Sequence, residues 1–177
     1  MIKTQKNYIL ASEILNTILK KRSDVVLMIL GGCDPNSESI EFKLLIDNIK
    51  KYNLAKYIRM PGFNSYVGKW LSACDLFLNT SHFEGFPMAV IEAIQAQKQV
   101  VCPKFPGMDN INHDLLTTID LNKINNLDLW AETIDNVLNS NHFPNYNQDA
   151  GLDNYTHSID RYPRLWSVLN GWQPATL

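Results

Sequence analysis

The stretch that decides the fold is LFLNTSHFEGFPMAVIEAIQAQKQVVCP, residues 76 to 103. It begins with an apolar run that is typical of a buried strand, continues as a helix pattern from about residue 87, and ends in a second apolar run at residues 99–102. A strand, a helix and a strand in this order predict a right-handed crossover between parallel strands. Because such sheets bind ligands at the carboxyl ends of their strands, the loop before the helix is the predicted site.

The start of this predicted helix has no conventional cap. Pro87 suits the first helical position, because its missing N–H would have no partner there and its fixed φ matches a helix. Phe86 has no side-chain oxygen that could accept a hydrogen bond from the first turn. We therefore expect three main-chain N–H groups to lack internal acceptors, those of Met88, Ala89 and Val90. Such donors at the positive end of a helix dipole favour an anion, usually a phosphate.

Two carboxylates bracket this predicted anion site. Glu84 precedes it, and Glu92 lies one helical turn beyond Met88 on the polar face of the helix. A carboxylate only accepts hydrogen bonds, and a pair of ribose hydroxyls near the phosphates of a nucleotide is a natural partner for it. Each glutamate taken alone is more often a capping or a surface residue. Their combination around an uncapped helix start favours a nucleotide site.

The rest of the chain alternates strands with helices. Predicted helices lie at about residues 7–21, 37–52, 66–74 and 127–138, and predicted strands at 25–30 and 58–60. Beyond residue 111 the pattern is helical, with a loop or linker at Ser140–Asn154 and a weaker helix at Ser158–Leu169 that Pro163 interrupts or restarts. This order predicts an α/β fold with a parallel sheet. We expect one domain at residues 1–139, with 140–177 forming its linker and C-terminal helix.

Composition excludes several classes of protein. With 177 residues the chain suits one domain, and a net charge of −2 gives no case for a nucleic-acid partner. The longest aliphatic run, Val25–Leu30, is far too short for a transmembrane segment. The three cysteines and four histidines show no metal-ligand spacing, so we expect no metal and no cofactor. Widely spaced cysteines without a pair fit a cytoplasmic protein.

The stretch from Glu84 to Glu92, with the strands and helices around it, resembles the nucleotide-sugar signature of retaining GT-B glycosyltransferases, especially the large family 4 group, the glycosyl transferases group 1. The likeness covers most of the chain. It implies a Rossmann-like parallel sheet flanked by helices, the donor-binding half of a GT-B fold. It also implies transfer of a sugar from a nucleotide diphosphate sugar, such as a UDP- or GDP-sugar, in cell-surface glycan synthesis.

The resemblance assigns roles to residues of this sequence. It implies that Glu84 contacts the donor sugar and that Glu92 binds the ribose. Lys6, which matches a lysine of the family, would neutralise the diphosphate and help the nucleotide to leave, so that Lys6 and Glu84 are the implied catalytic residues. The donor diphosphate would lie on the start of the helix and the turn before it, at Gly85, Phe86, Pro87, Met88 and Ala89.

Two further positions are candidates for the nucleoside. Gly31 ends the strand at 25–30 and could line the nucleotide pocket, although a turn glycine is the plainer interpretation. Met60 ends the strand at 58–60, where a base could bind by main-chain contacts or where the sheet could simply have an edge. Gly31 and Gly32 do not form the Gly-x-Gly-x-x-Gly motif, so a dinucleotide-binding dehydrogenase is disfavoured.

The chain also departs from the family pattern. Met1 stands where the family usually carries an arginine, five residues before Lys6. We therefore expect the first strand of the domain and the whole N-terminal acceptor domain to be missing. That domain would be the natural partner and could attach the protein to the inner membrane. The first strand of a doubly wound sheet is central, so its absence should leave a gap or force rearranged pairing.

Two alternatives to a transferase half stay open. The chain could be a nucleotide-sugar binding module, or a truncated copy, without turnover; the missing strand and arginine favour this alternative. A GT-B-like sugar-nucleotide epimerase would share the architecture, but it would need catalytic acids of its own, which the sequence does not identify.

Overall fold

The structure is a computed structural model that describes residues 4–31, 39–140 and the strand at 165–169. Its strands are β1 (Val26–Leu30), β2 (Ile58–Gly62), β3 (Leu76–Leu78), β4 (Gln99–Pro103), β5 (Leu116–Ile119) and β6 (Leu165–Leu169). In the described residues these strands form one sheet in the order β2-β1-β6-β3-β4-β5, and each pair of neighbours is parallel. The predicted α/β class with a parallel sheet is therefore confirmed.

Five α-helices surround this sheet in the described residues. They are α1 (Tyr8–Ile18), α2 (Ile40–Lys51), α3 (Val67–Ala73), α4 (Met88–Gln95) and α5 (Leu127–Asn139). Side-chain oxygens of Asn7, Ser39 and Asn126 accept hydrogen bonds from the first turns of α1, α2 and α5. In contrast, α3 and α4 begin without a side-chain cap. No helix in the described residues is both long and apolar enough to cross a bilayer.

The sheet is buried on both faces, which explains the continuous apolar runs of its strands. All five residues of β1 are buried. Leu27 and Ile29 pack in a cluster with α1, α2 and α5, whereas Met28 belongs to a second cluster that includes residues of α3 and α4. Successive side chains of a strand point to opposite faces. The helices therefore form two layers with the sheet between them.

The centre of the sheet differs from the prediction. The helix expected at Ser158–Leu169 is wrong over residues 165–169, which form β6 between β1 and β3. β6 pairs with β1 from Val26 to Leu30 and with β3 at Leu76 and Phe77. A segment that lies between two open strand edges can form hydrogen bonds with the N–H and C=O groups of both. These bonds stabilise the strand more than local helix propensity stabilises a helix. β6 therefore lies between β1 and β3 in the described sheet, and the missing first strand stays a prediction.

The rest of the prediction for residues beyond 111 is tested only in part. The linker at 141–154 and the beginning of the expected helix lie outside the described residues. Residues 116–119, for which a helical pattern was expected, form β5 instead. Thr117 and Thr118 are β-branched, and β5 pairs with the open side of β4. The division into residues 1–139 and 140–177 stays a prediction.

Candidate functional site

The loop between β3 and α4 reaches the carboxyl edge of the sheet, as expected. α4 begins at Met88, and Pro87 is its N-cap rather than its first residue. Pro87 has φ −80° and ψ 63°, and it provides no side-chain hydrogen bond to the helix. A boundary shift of one residue is small, but it changes which main-chain donors are open.

The expected set of open donors is wrong at two of its three positions. The N–H of Met88 donates to the carbonyl of Phe86 at 2.8 Å, and the N–H of Val90 donates to that of Pro87 at 2.9 Å. The tight turn at Pro87 places these carbonyls within reach of the first helical amides. Among the described residues, the N–H of Ala89 has no acceptor, and neither have those of Gly85 and Phe86.

The space in front of these donors is open. Gly85 and Phe86 are exposed, and 63% of Phe86 is accessible to solvent. A Cβ atom added to Gly85 would meet no atom within 4 Å. An incoming group could therefore approach the main chain here closely. The open amides at the start of α4 are consequently available to an anion.

Lys6 and Glu84 form an ion pair at this edge. Lys6 Nζ lies 2.7 Å from Glu84 Oε1, and the two side chains are only 11% and 10% exposed. The structure thus brings together the two residues that the sequence predicts as catalytic, although 78 positions separate them. Among the described residues the ammonium group donates to this carboxylate alone, so two of its three N–H bonds remain unused.

Main-chain contacts hold the segment before α1 against the loop after β3. The hydroxyl of Thr80 lies 2.9 Å from the carbonyl of Lys6 and 3.1 Å from that of Asn7. The N–H of His82 donates to the carbonyl of Gln5 at 2.8 Å. Thr80 is fully buried, so these bonds are shielded from water. The ion pair therefore sits on a fixed main-chain frame.

Sequence reasoning missed two residues that contact Glu84. The hydroxyl of Ser81 donates to Glu84 Oε1 at 2.7 Å, and Gln5 Nε2 lies 3.4 Å from Oε2 and 3.0 Å from the carbonyl of Phe83. The spacing Ser81-x-x-Glu84 is that of a capping box, which predicts side-chain to main-chain bonds at a helix start and therefore does not indicate the first contact. Nothing in the sequence around Gln5 indicates the second, which depends on the way the chain folds back.

Tyr8 is a buried residue near the ion pair of Lys6 and Glu84. Burial, together with the nearby charge of Glu84, raises the pKa of the Tyr8 phenol. Folding therefore favours the neutral phenol of Tyr8. The group that contacts the carboxylate of Glu84 as an ion pair is the ammonium group of Lys6.

The remaining predicted site residues are more dispersed. Glu92 is half-buried on α4, and its carboxylate accepts no hydrogen bond from a described residue. Met88 is 53% exposed at the start of the same helix. Gly31 follows the end of β1, and its N–H donates to the carbonyl of Gly62 at the end of β2 at 3.0 Å. Met60 lies in the middle of β2, because this strand continues beyond its predicted end at residue 60 to Gly62. Among the described residues, no hydrogen bond or ion pair joins Glu92, Met88, Gly31 or Met60 to Lys6 or Glu84, and their roles stay predictions.

Metal-binding residues do not gather in the described part of the chain. No group of three or more His, Cys, Asp or Glu side chains there is arranged to hold a metal ion. The expectation of a metal-free site stays a prediction. Cys74 and Cys102 are buried free thiols, and burial raises the pKa of Cys102 to about 12. These two thiols are therefore part of the core.

The fold and part of the sequence are similar to known glycosyltransferases. The chain is 30% identical over 89 residues to the N-acetylgalactosamine-N,N'-diacetylbacillosaminyl-diphospho-undecaprenol 4-alpha-N-acetylgalactosaminyltransferase of Campylobacter jejuni, which covers 50% of this chain and 23% of that enzyme. The fold resembles that of Anabaena HepE in complex with UDP and glucose, with a TM-score of 0.60 and 21% identity over 76% of this chain and 36% of HepE.

A third relative is a domain on its own. The fold matches the C-terminal domain of a glycosyl transferase group 1 protein, LpcC, from Francisella tularensis, with a TM-score of 0.59 and 22% identity over 77% of this chain and 74% of that domain. The chain thus spans a minor part of the Campylobacter enzyme and of HepE, and most of the LpcC domain. The family model for glycosyl transferases group 1 matches residues 1–154. This chain, a GT-B glycosyltransferase domain, therefore belongs to that family.

Proposed function

We propose that this chain is the donor-binding half of a retaining glycosyltransferase that takes its sugar from a nucleotide diphosphate sugar. The observation that carries the proposal is the buried pair of Lys6 and Glu84 beside the open amides at the start of α4. A positive group, a negative group and free N–H donors meet at the carboxyl edge of a parallel sheet. That combination suits a ligand with both phosphates and sugar hydroxyls.

The chemistry of transfer explains why each group would be needed. Breaking the bond between the sugar and the phosphate develops positive charge on the sugar and additional negative charge on the diphosphate. Lys6 and the N–H groups of Gly85, Phe86 and Ala89 would stabilise the diphosphate more strongly as this charge grows. Glu84 would orient the sugar through its hydroxyls. In this proposal the chain supplies no nucleophile.

The donor must compete with Glu84 for the ammonium group. Two N–H bonds of Lys6 are not used by any described residue, so the ammonium group can begin to bind a phosphate oxygen before it gives up the carboxylate. As the phosphate becomes more negative, the ammonium group would be drawn further toward it. This exchange would couple the binding of the diphosphate to the release of Glu84 for the sugar.

The nucleoside would be bound by residues around the same edge. Glu92 is half-buried and accepts no hydrogen bond from a described residue, which leaves both of its oxygens for ribose hydroxyls. Gly31 and Met60 would line the pocket for the base. HepE has been solved in complex with UDP-glucose, which supports a uridine nucleotide as the first donor to test.

The acceptor would be bound by a second domain. The Campylobacter relative is named for transfer to an undecaprenol-linked saccharide, which supports an acceptor of this kind. We accordingly propose a role in cell-surface glycan synthesis at the cytoplasmic side of the inner membrane, reached through that second domain.

A thermal-shift screen of the 177-residue chain against UDP-, GDP- and ADP-sugars tests the proposal directly. A ligand that binds only the folded state must raise Tm. We expect one nucleotide class to raise Tm and Glu92→Ala to reduce that rise, because the ribose loses its acceptor. Glu132→Ala removes an exposed glutamate from α5 and is the matched control. If no nucleotide or nucleotide sugar shifts Tm, the donor-binding proposal fails.

Transfer itself requires a further measurement. The chain is combined with an acceptor domain of the same family, and the product is tested for retention of the anomeric configuration. Binding without transfer, in a combination that is shown to be folded, would favour the module without turnover.

A further inference from the structure

Glu84 has two strong hydrogen-bond donors, and they contact the same oxygen. Lys6 Nζ and the hydroxyl of Ser81 each lie 2.7 Å from Oε1, whereas from the described residues Oε2 receives only the longer contact of 3.4 Å with Gln5. The side chain of Glu84 is 10% exposed. A buried carboxylate without strong hydrogen-bond donors destabilises the folded state. When one of the two donors is lost, the remaining hydrogen bond therefore contributes more to stability.

We propose that Ser81 is a positioning residue that holds Glu84 in place when Lys6 turns from the carboxylate to a diphosphate. The proposal rests on the donor-binding function argued above, in which that turn is required. Ser81 would keep Oε1 bonded and fixed, which leaves Oε2 aimed at the sugar. Without Ser81, the departure of Lys6 would leave Glu84 with the long contact to Gln5.

Ser81 is suited to this task because its own position does not depend on Lys6. Its N–H donates to Asn79 Oδ1 at 2.8 Å, and the N–H of Asn79 donates to the carbonyl of Val101 at 3.0 Å. Val101 lies in β4, so a chain of hydrogen bonds runs from the sheet through Asn79 to Ser81. Ser81 is 1% exposed. Gln5, in contrast, reaches Glu84 only through the longer contact of 3.4 Å.

The first experiment needs no nucleotide. Tm is measured for the 177-residue chain with Ser81→Ala, with Lys6→Met, and with both changes, where Lys6→Met imitates the withdrawn lysine. We expect Ser81→Ala to lower Tm about twice as much in the Lys6→Met background as in the parent, because Glu84 then loses its last strong donor. Lys6→Gln provides a second background if Lys6→Met does not fold.

The control is Ser72→Ala, which removes a hydroxyl that donates to the carbonyl of Gly68 in α3. Its effect should be the same in both backgrounds. Equal falls in Tm for Ser81→Ala with and without Lys6 would overturn the proposal. This result stands whether or not the chain binds a nucleotide, so the two proposals can fail separately.

The second experiment measures the affinity for UDP-glucose by calorimetry. We expect Ser81→Ala to weaken binding roughly fivefold to twentyfold, as is typical when a buried charged group loses a hydrogen bond. In a Glu84→Ala background the same change should have almost no effect, because no carboxylate remains to be held. An effect of equal size in both backgrounds would mean that Ser81 acts on the fold rather than through Glu84.

Discussion

Lys6 and Arg22 connect the beginning of the chain to distant segments at opposite edges of the sheet, and their ion pairs differ in hydrogen bonding and in burial. At the amino edge, Arg22 donates two hydrogen bonds of 2.6 and 2.7 Å to Asp24 and one of 2.9 Å to Asp135. At the carboxyl edge, Lys6 makes one bond of 2.7 Å to Glu84. Asp24 and Asp135 are 38% and 32% exposed, whereas Glu84 is 10% exposed.

The difference separates a structural ion pair from one that can bind a ligand. Arg22 donates four hydrogen bonds, including one of 3.4 Å to Asn139, and has almost no donor left. The bonds to Asp24 raise the pKa of Arg22 further. Within the described part of the chain, two N–H donors of Lys6 and nearly all of the accepting capacity of Glu84 Oε2 remain unused. Buried donors and acceptors that lack hydrogen-bond partners in the described residues indicate a ligand-binding site.

The largest expected effect tests the burial of the carboxyl-edge pair. Lys6→Met leaves Glu84 charged and poorly solvated, and we expect it to lower the free energy of unfolding by about 3 kcal/mol. Urea unfolding monitored by circular dichroism measures this. Lys6→Met combined with Glu84→Gln should recover part of the loss, because the uncompensated charge is then gone. No recovery in the double variant would mean that the lysine stem, rather than the charge, stabilises this edge.

Next in size is the effect of Glu84 on ligand preference. Glu84→Gln keeps the shape of the side chain but removes its charge, and we expect the preference for UDP-sugar over UDP to fall about tenfold. Competition calorimetry with the two ligands measures the ratio. Arg22→Met at the opposite edge is the control and should leave the ratio unchanged. If both variants change the preference equally, the distinction between the two edges is lost.

The amino-edge pair should respond more weakly to its own disruption. Asp24 and Asp135 are partly exposed and can be solvated again when Arg22 is replaced. We therefore expect Arg22→Met to cost about 1 kcal/mol of unfolding free energy, less than Lys6→Met. The cost should shrink at high salt, since exposed charges are screened. A loss for Arg22→Met as large as that for Lys6→Met would reverse the ranking.

The smallest effect comes from the core between the two edges and depends on pH. The folded-state pKa of Cys102 is about 12, above the ordinary value of 9.0, so folding favours the neutral thiol. This stability is present below about pH 9 and is lost as pH rises toward 12. Between pH 8 and 9.5 we expect Cys102 to account for a loss of roughly 1 kcal/mol or less.

Urea unfolding of the parent and of Cys102→Ala across this range isolates the contribution. The Cys102→Ala variant should lose less stability between the two pH values than the parent does. If the free energy of unfolding falls equally with pH in the parent and in Cys102→Ala, the thiol of Cys102 is not shielded from solvent in the folded chain.

The sequence predicts the frame of this molecule better than its details. The apolar runs of β1 and β4 and the pattern of α5 determine their elements, because burial on one or both faces leaves a strong periodic signal. The residues Lys6 and Glu84 could be singled out through a family resemblance. Their pairing could not, since it depends on hydrogen bonds of Thr80 to a segment 74 residues away.

Two failures have a common physical cause. The open donors of α4 were misassigned because the ψ angle of Pro87 redirects two amides to local carbonyls, and ψ is not fixed by the proline ring. β6 was misassigned because its strand form is set by the two neighbours that flank it. In each case a contact that is absent from the local sequence pattern decides the conformation.

The place of β6 has a consequence for the order in which the sheet forms. β1 and β3 are not paired with each other in the described sheet, and the strand that joins them comes from residues 165–169. Pairings between segments that are far apart in the sequence form slowly, and exposed strand edges can pair with other chains. We therefore expect the pairing of β6 to be a late step in the folding of this sheet.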